Sequence, residues 1–141
     1  MRDENAEYTA FLSGISLLNI ALVHSSFRIS RNEYLQQDET TMSMSLSCEP
    51  IASSEDHFDL AATMRMRMLS ADGKQTFVKL YAKYNLHFHA PKPQRKHISQ
   101  FANSEVRFII WPYLREYVGN TSARMHVPPI LLPFSSRATD L

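Results

Sequence analysis

The sequence predicts an α+β domain: a four-stranded antiparallel sheet with one main C-terminal helix packed on its apolar face. Three observations carry this. Residues 41–48 and 58–68 alternate apolar and polar side chains with period two, as strands with one packed face do. Asp72-Gly73 separates the second of these runs from a third, and Asp-Gly is a strong hairpin signal. From about Ser104 the apolar spacing becomes helical. A chain of 141 residues suits one domain, 1–141, able to bury roughly two-thirds of its unfolded surface without a disulfide or metal staple.

Residues 1–11 form a polar lead, and 12–90 hold the sheet. Ile15 to Ile29 is rich in Ile, Leu, Val and Phe without a helical stripe, which predicts a long strand bent near His24-Ser25-Ser26, where the period fails. After a polar connection at 31–39, Met42, Met44, Leu46 and Cys48 alternate with Thr41, Ser43, Ser45 and Ser47. Pro50 stops that run, and Ser53-Ser54-Glu55-Asp56 reads as a turn. Next, Phe58, Leu60, Ala62, Met64, Met66 and Met68 face one way, with Asp59, Thr63, Arg65 and Arg67 facing the other. In the third run, Val78, Leu80, Ala82, Tyr84, Leu86 and Phe88 oppose Lys79, Lys83 and His87. Pro91 and Pro93 open a basic link over 91–103.

The helix is expected over 104–125, capped by Asn103 or Ser104 with Glu105 in its first turn. Phe108, Trp111, Leu114 and Val118 trace one stripe, and Ile110, Tyr113 and Tyr117 a neighbouring one. That arc is wider than a single sheet requires, which predicts that part of it packs on another subunit. Pro112 is expected to kink the helix or mark a restart. Residues 126–141 form a Pro-rich apolar tail, extended over Ile130 to Phe134.

Composition narrows the function. Fifteen basic residues against fourteen acidic ones leave a net charge of +1, without the strong basic footprint of a nucleic-acid binder. Cys48 is the single cysteine, so an internal disulfide is excluded and a reducing, cytoplasmic setting is expected. The apolar run Ile15–Val23 is too short to span a bilayer. Asp3, Glu4 and Glu7 ahead of it spoil a signal peptide. No phosphate loop, HExxH, GxSxG or paired-cysteine frame occurs, so neither an enzyme nor a cofactor is expected. His87, His89 and His97 lack a strong fourth ligand, so no metal is expected either. Cys48 lies in the apolar phase of its strand, as a small buried hydrophobe would.

Five of the seven methionines lie on strand faces, at 42, 44, 64, 66 and 68. They fill a sheet–helix core or, being flexible and polarisable, form an apolar groove that adapts to many partners. Arg65, Arg67, Lys79 and Lys83 on the opposite face are either a solvated surface or an electrostatic dock for an acidic partner.

The run Trp111-Pro112-Tyr113-Leu114-Arg115-Glu116-Tyr117-Val118, followed by Ala123-Arg124-Met125 and by VPPILLP from Val127, resembles the closing part of SecB-like chaperones. The long bent first strand and the meander after it match as well. The resemblance covers residues 12–134 and looks closest to the branch that accompanies toxin–antitoxin systems. It implies a chaperone that holds non-native polypeptide without ATP, in protein export or antitoxin protection. It also implies a dimer of dimers with clients lying in long apolar grooves between sheet and helix. The expected client-binding residues are Leu22, Phe27, Met42, Met44, Met64, Met66, Trp111, Ile130 and Leu132. Arg115 and Glu116 are expected to fix helix and subunit packing. Export members dock the SecA motor through an acidic sheet face and carry a second C-terminal helix. Here the outer face is basic, the wrong charge for SecA, and a second helix is not expected after the Pro-rich segment. A small apolar-ligand-binding domain and a non-catalytic adaptor subunit are the alternative readings.

Overall fold

A computed structural model describes residues 2–132. In chain order the elements are α1 (Arg2–Ser13), β1 (Ser16–Ile29), α2 (Arg31–Leu35), β2 (Thr40–Ser53), β3 (His57–Ser70), β4 (Thr76–His89), α3 (Arg95–Ala102) and α4 (Glu105–Arg124). The strands form one antiparallel sheet in the order β1-β4-β3-β2. β2, β3 and β4 are a meander, and β1 lies beside β4 after a connection that crosses the sheet, a Greek key.

The register gathers the sulfur-rich residues as their period requires. Met42 faces Met68, Met44 faces Met66, Leu46 faces Met64 and Cys48 faces Ala62. On the other side of β3, Met66 meets Leu80 and Met64 meets Ala82. All of these belong to the side of the sheet that packs on the helices. The hairpin between β3 and β4 turns where Asp72-Gly73 predicts. Gly73 adopts φ +77°, a left-handed conformation that glycine takes at little cost. The Asp72 carboxylate accepts hydrogen bonds from Ser70 Oγ at 2.6 Å and from the Lys74 amide at 3.0 Å. These bonds, the Ser70 one foremost, hold Asp72 below the usual carboxylate range. The bend expected in β1 takes the form of register shifts between Leu17 and Asn19 and between Leu22 and His24.

The polar lead is a helix anchored by two aromatics. Tyr8 is buried, and its hydroxyl donates to the Glu105 carboxylate in the first turn of α4. Phe11 packs 5.8 Å from Phe58 and 5.3 Å from His97, ring centre to ring centre. The basic link is also partly helical. In α3, His97, Ile98, Phe101 and Ala102 are buried, with Phe101 edge-on to Phe88 at 5.2 Å.

α4 buries Val106, Ile110, Trp111, Leu114, Val118 and Ser122. Phe108 does not share that stripe and is 58% exposed, because two residues carry it ~200° around the helix from Ile110. The helix runs through Pro112 without restarting. Pro112 and Phe108 both lie on the exposed side, so the Phe108 carbonyl that loses its donor to the proline ring faces water. After α4 the chain doubles back. The Ile130 amide donates to Ser122 Oγ at 3.1 Å, and Arg115 Nε donates to the Leu132 carbonyl at 3.2 Å. Phe134 and the rest of the expected tail, with the question of a second C-terminal helix, lie outside the described residues.

Candidate polypeptide-binding surface

The expected client-binding residues divide by strand position. Met64 (0% exposed), Met66 (1%), Trp111 (3%), Ile130 (4%) and Leu132 (3%) are sealed in the core. In this arrangement they offer a client almost no surface, because a side chain with so little exposed area has no water to exchange for a client's side chain. The cause is placement. β3 is an inner strand under the helix layer, and the returning tail closes over the flank of α4 that carries Arg115 and Ser122. Met42 and Met44, on edge strand β2, and Phe27, on edge strand β1, are half-buried against the core. Leu22 is 43% exposed.

The accessible apolar surface concentrates on β1, where Leu17, Leu18, Leu22 and Val23 are all exposed. Leu17 pairs with Phe88, Ile20 with Leu86 and Leu22 with Tyr84. Paired residues share a face, so these side chains stand on the helix side of the sheet. Leu18 and Val23 are the extra residues at the two register shifts. Across from Leu22, the Tyr113 ring of α4 lies 6.4 Å from that of Tyr84, whose hydroxyl donates to the Tyr113 carbonyl at 3.4 Å. Tyr113 is itself exposed. The result is an apolar strip along an edge strand, floored by Tyr84 and flanked by α4. Leu17, Leu18, Val23 and Tyr113 were not among the expected site residues. For the three on β1 the signal was the loss of period, since a strand with one packed face does not place leucines at consecutive positions.

The strip holds no reactive group. Burial pushes the Cys48 thiol up to about 11, Arg107 opposing only in part. Burial, then the nearby Tyr117 and Glu116, raises the Tyr84 phenol as well. Arg115 Nε holds the returning tail through the Leu132 carbonyl. His57 and His87 stack at 4.9 Å, with His57 Nδ1 2.6 Å from Asp56 and His87 Nδ1 on the Asp59 carboxylate. His97 is buried beside Phe11, in a different place. Among the described residues no group of three or more His, Cys, Asp or Glu is placed to hold a metal ion, and no helix is long and apolar enough to cross a membrane. Arg65, Arg67 and Lys79 are exposed on the outer face and Lys83 is half-buried there.

The Greek-key sheet with its helices on one face is the SecB-like fold. The chain is similar to the Mycobacterium tuberculosis SecB-like chaperone Rv1957, solved in complex with a ChAD peptide from the Rv1956 HigA1 antitoxin. The TM-score is 0.72 over 93% of this chain and 98% of that one, at 18% sequence identity. A protein of unknown function from Streptococcus agalactiae superposes with a TM-score of 0.45, at 11% identity, over 85% of this chain and 97% of that one. The sequence matches no family model and no curated protein.

Proposed function

We propose that this protein is a chaperone that holds non-native polypeptide without ATP, binding extended apolar segments along β1 beside α4. The observation that carries the reading is the run of four exposed large hydrophobics, Leu17, Leu18, Leu22 and Val23, on one strand. Contiguous exposed apolar surface marks an interaction site. Each client side chain that becomes fully buried there contributes roughly 1.5–3 kcal/mol. Many such contacts, none tied to a particular hydrogen bond, give broad specificity. That the similar mycobacterial chaperone binds an antitoxin peptide supports a polypeptide ligand and makes an antitoxin a natural client to try.

The reading includes a homo-oligomer, a dimer of dimers, in which a second copy covers the free edge of β1. That edge runs fourteen residues without a proline, the kind of edge that invites pairing. The other edge, β2, is interrupted by Pro50, which has no amide hydrogen to offer a neighbouring strand. In the assembly the helix side of β1 stays open to client. The export role is the less favoured half of the reading, because the outer face is basic.

The test is suppression of aggregation of a thermally unfolding protein, at stoichiometric ratio and without nucleotide. Aggregation that proceeds unchanged for every client tried, a cognate antitoxin included, overturns the reading. A fluorescent fatty acid that binds one site per chain and is not displaced by unfolded protein assigns the surface to a small apolar ligand instead.

A further inference from the structure

The face of the sheet away from the helices carries an arrangement that client holding does not use. The register sets Arg28, Lys79 and Arg67 side by side on β1, β4 and β3, and Ser43 on β2 completes the row. The next row holds Ser26, Tyr81, Arg65 and Ser45. Adjacent strands are ~4.8 Å apart, and like charges directly opposite one another destabilise a sheet. Among the described residues, the ion pairs involve none of Arg28, Arg65, Arg67 and Lys79. These two rows line an open concavity of about 590 Å³. Lys83 stands one row further on, between His24 and Thr63.

We propose that this concave basic face docks an acidic segment of a partner polypeptide, some four to six extended residues carrying two or three carboxylates. The size follows from spacing. The row from Arg28 to Arg67 crosses two strand gaps, ~10 Å, and side chains on one side of an extended chain recur every ~6.7 Å. Carboxylates at alternate positions therefore reach the whole row, with the Ser43 and Ser45 hydroxyls as further donors. Bound carboxylates relieve a repulsion that the folded chain otherwise carries.

Two features favour a peptide over nucleic acid. Single-strand binders offer aromatic rings for bases to stack on. Tyr81, the aromatic of these rows, is engaged by the Arg65 guanidinium 5.1 Å above its ring and by His24 at 5.0 Å. The basic field is also short, since the same face carries Glu49 and Asp59 further along its strands, opposite Ala61 and His87. The proposal does not rest on the chaperone reading and concerns the opposite face.

The experiment is a fluorescence-anisotropy titration of the full chain with a labelled peptide of alternating Glu and Ser, at low and high salt. Its Gln counterpart serves as control. Binding of the Glu peptide alone is expected, weakened by added salt and by about tenfold or more in Arg67→Glu, with Lys79→Ser intermediate. Both side chains are exposed, and circular dichroism checks the fold; should Arg67→Glu unfold, Arg67→Gln takes its place. Absent binding, or binding that both variants leave unchanged, overturns the proposal. A single-stranded RNA or a phosphatidylserine vesicle that binds more tightly than the peptide and is lost in the same variants also overturns it, reassigning the face.

Discussion

Leu22→Asp tests client binding apart from folding. Full burial of a leucine side chain is worth roughly 1.5–3 kcal/mol, and Leu22 is 43% exposed. A client covering the rest therefore gains about 0.6–1.3 kcal/mol at this position. The aspartate forfeits that gain and places an unpaired charge against apolar client surface, adding a penalty of about 1–3 kcal/mol. The sum, about 2–4 kcal/mol, predicts client affinity weakened by roughly 30- to 700-fold. Folding suffers less, because the position already faces water in part; the covered part of the leucine accounts for about 0.9–1.7 kcal/mol. Anisotropy with a labelled unfolded client, beside a thermal melt of the same sample, reads both quantities. A variant that melts as a folded protein and still binds client like the parent refutes the assignment of the strip to client.

Met66→Asp is expected to unfold the chain, since a charge replaces a side chain that is 1% exposed; a cooperative melt near that of the parent would contradict the placement of Met66 in the core. Met64→Ala should cost about 2–5 kcal/mol in a denaturant titration. Native Cys48 should resist alkylation at neutral pH, its thiol being held up at about 11 by burial, and react promptly once the chain is unfolded; equal rates in both states would refute this. At Glu105 desolvation pulls the carboxyl upward, but hydrogen bonds from Ser104 and Tyr8 outweigh it and leave it below the ordinary range. Its stabilising effect is thus present above the ordinary carboxylate pKa and lost as pH falls through the depressed one. Tyr8 is raised to about 12, chiefly by burial and then by Glu105, so its contribution holds below the ordinary phenol pKa and is lost as pH rises toward 12. Tyr8→Phe should flatten both limbs of the stability–pH curve, and a variant with the parent's acid limb would show that this hydrogen bond does not carry it.

The meander β2–β4 was legible because its strands keep period two over most of their length, whereas β1 does not. Met42 to Cys48 and Phe58 to Met68 lie on the face their alternation assigns, and Gly73 turns where the dipeptide places it. The division between core and accessible surface was not legible. Met44 and Met66 carry the same side chain on the same face in direct register. One is half-buried on an edge strand and the other sealed on an inner one, and strand order is a long-range fact absent from local pattern. α3 was hidden by the prolines and cations around it, although Ile98, Phe101 and Ala102 keep helical spacing. α1 looked polar because a buried tyrosine and a half-buried phenylalanine suffice to hold it.

The open strip follows from the widths of the elements. Four strands at ~4.8 Å make an apolar face about 19 Å wide, while one helix with its side chains is ~10–12 Å across. α4 alone can therefore shelter about two strands. α3 packs on β2 and shelters that edge, while the returning tail, held by Arg115 and Ser122, closes one flank of α4. For β1 the described residues supply only partial cover, so Ile20, Phe27 and Ile29 are half-buried and Leu17 and Leu22 reach water. A purely structural domain would answer with polar side chains at those positions. This chain keeps leucines there and adds Leu18 and Val23 where the strand bulges. An accessible apolar edge is thus written into the sequence as firmly as the core.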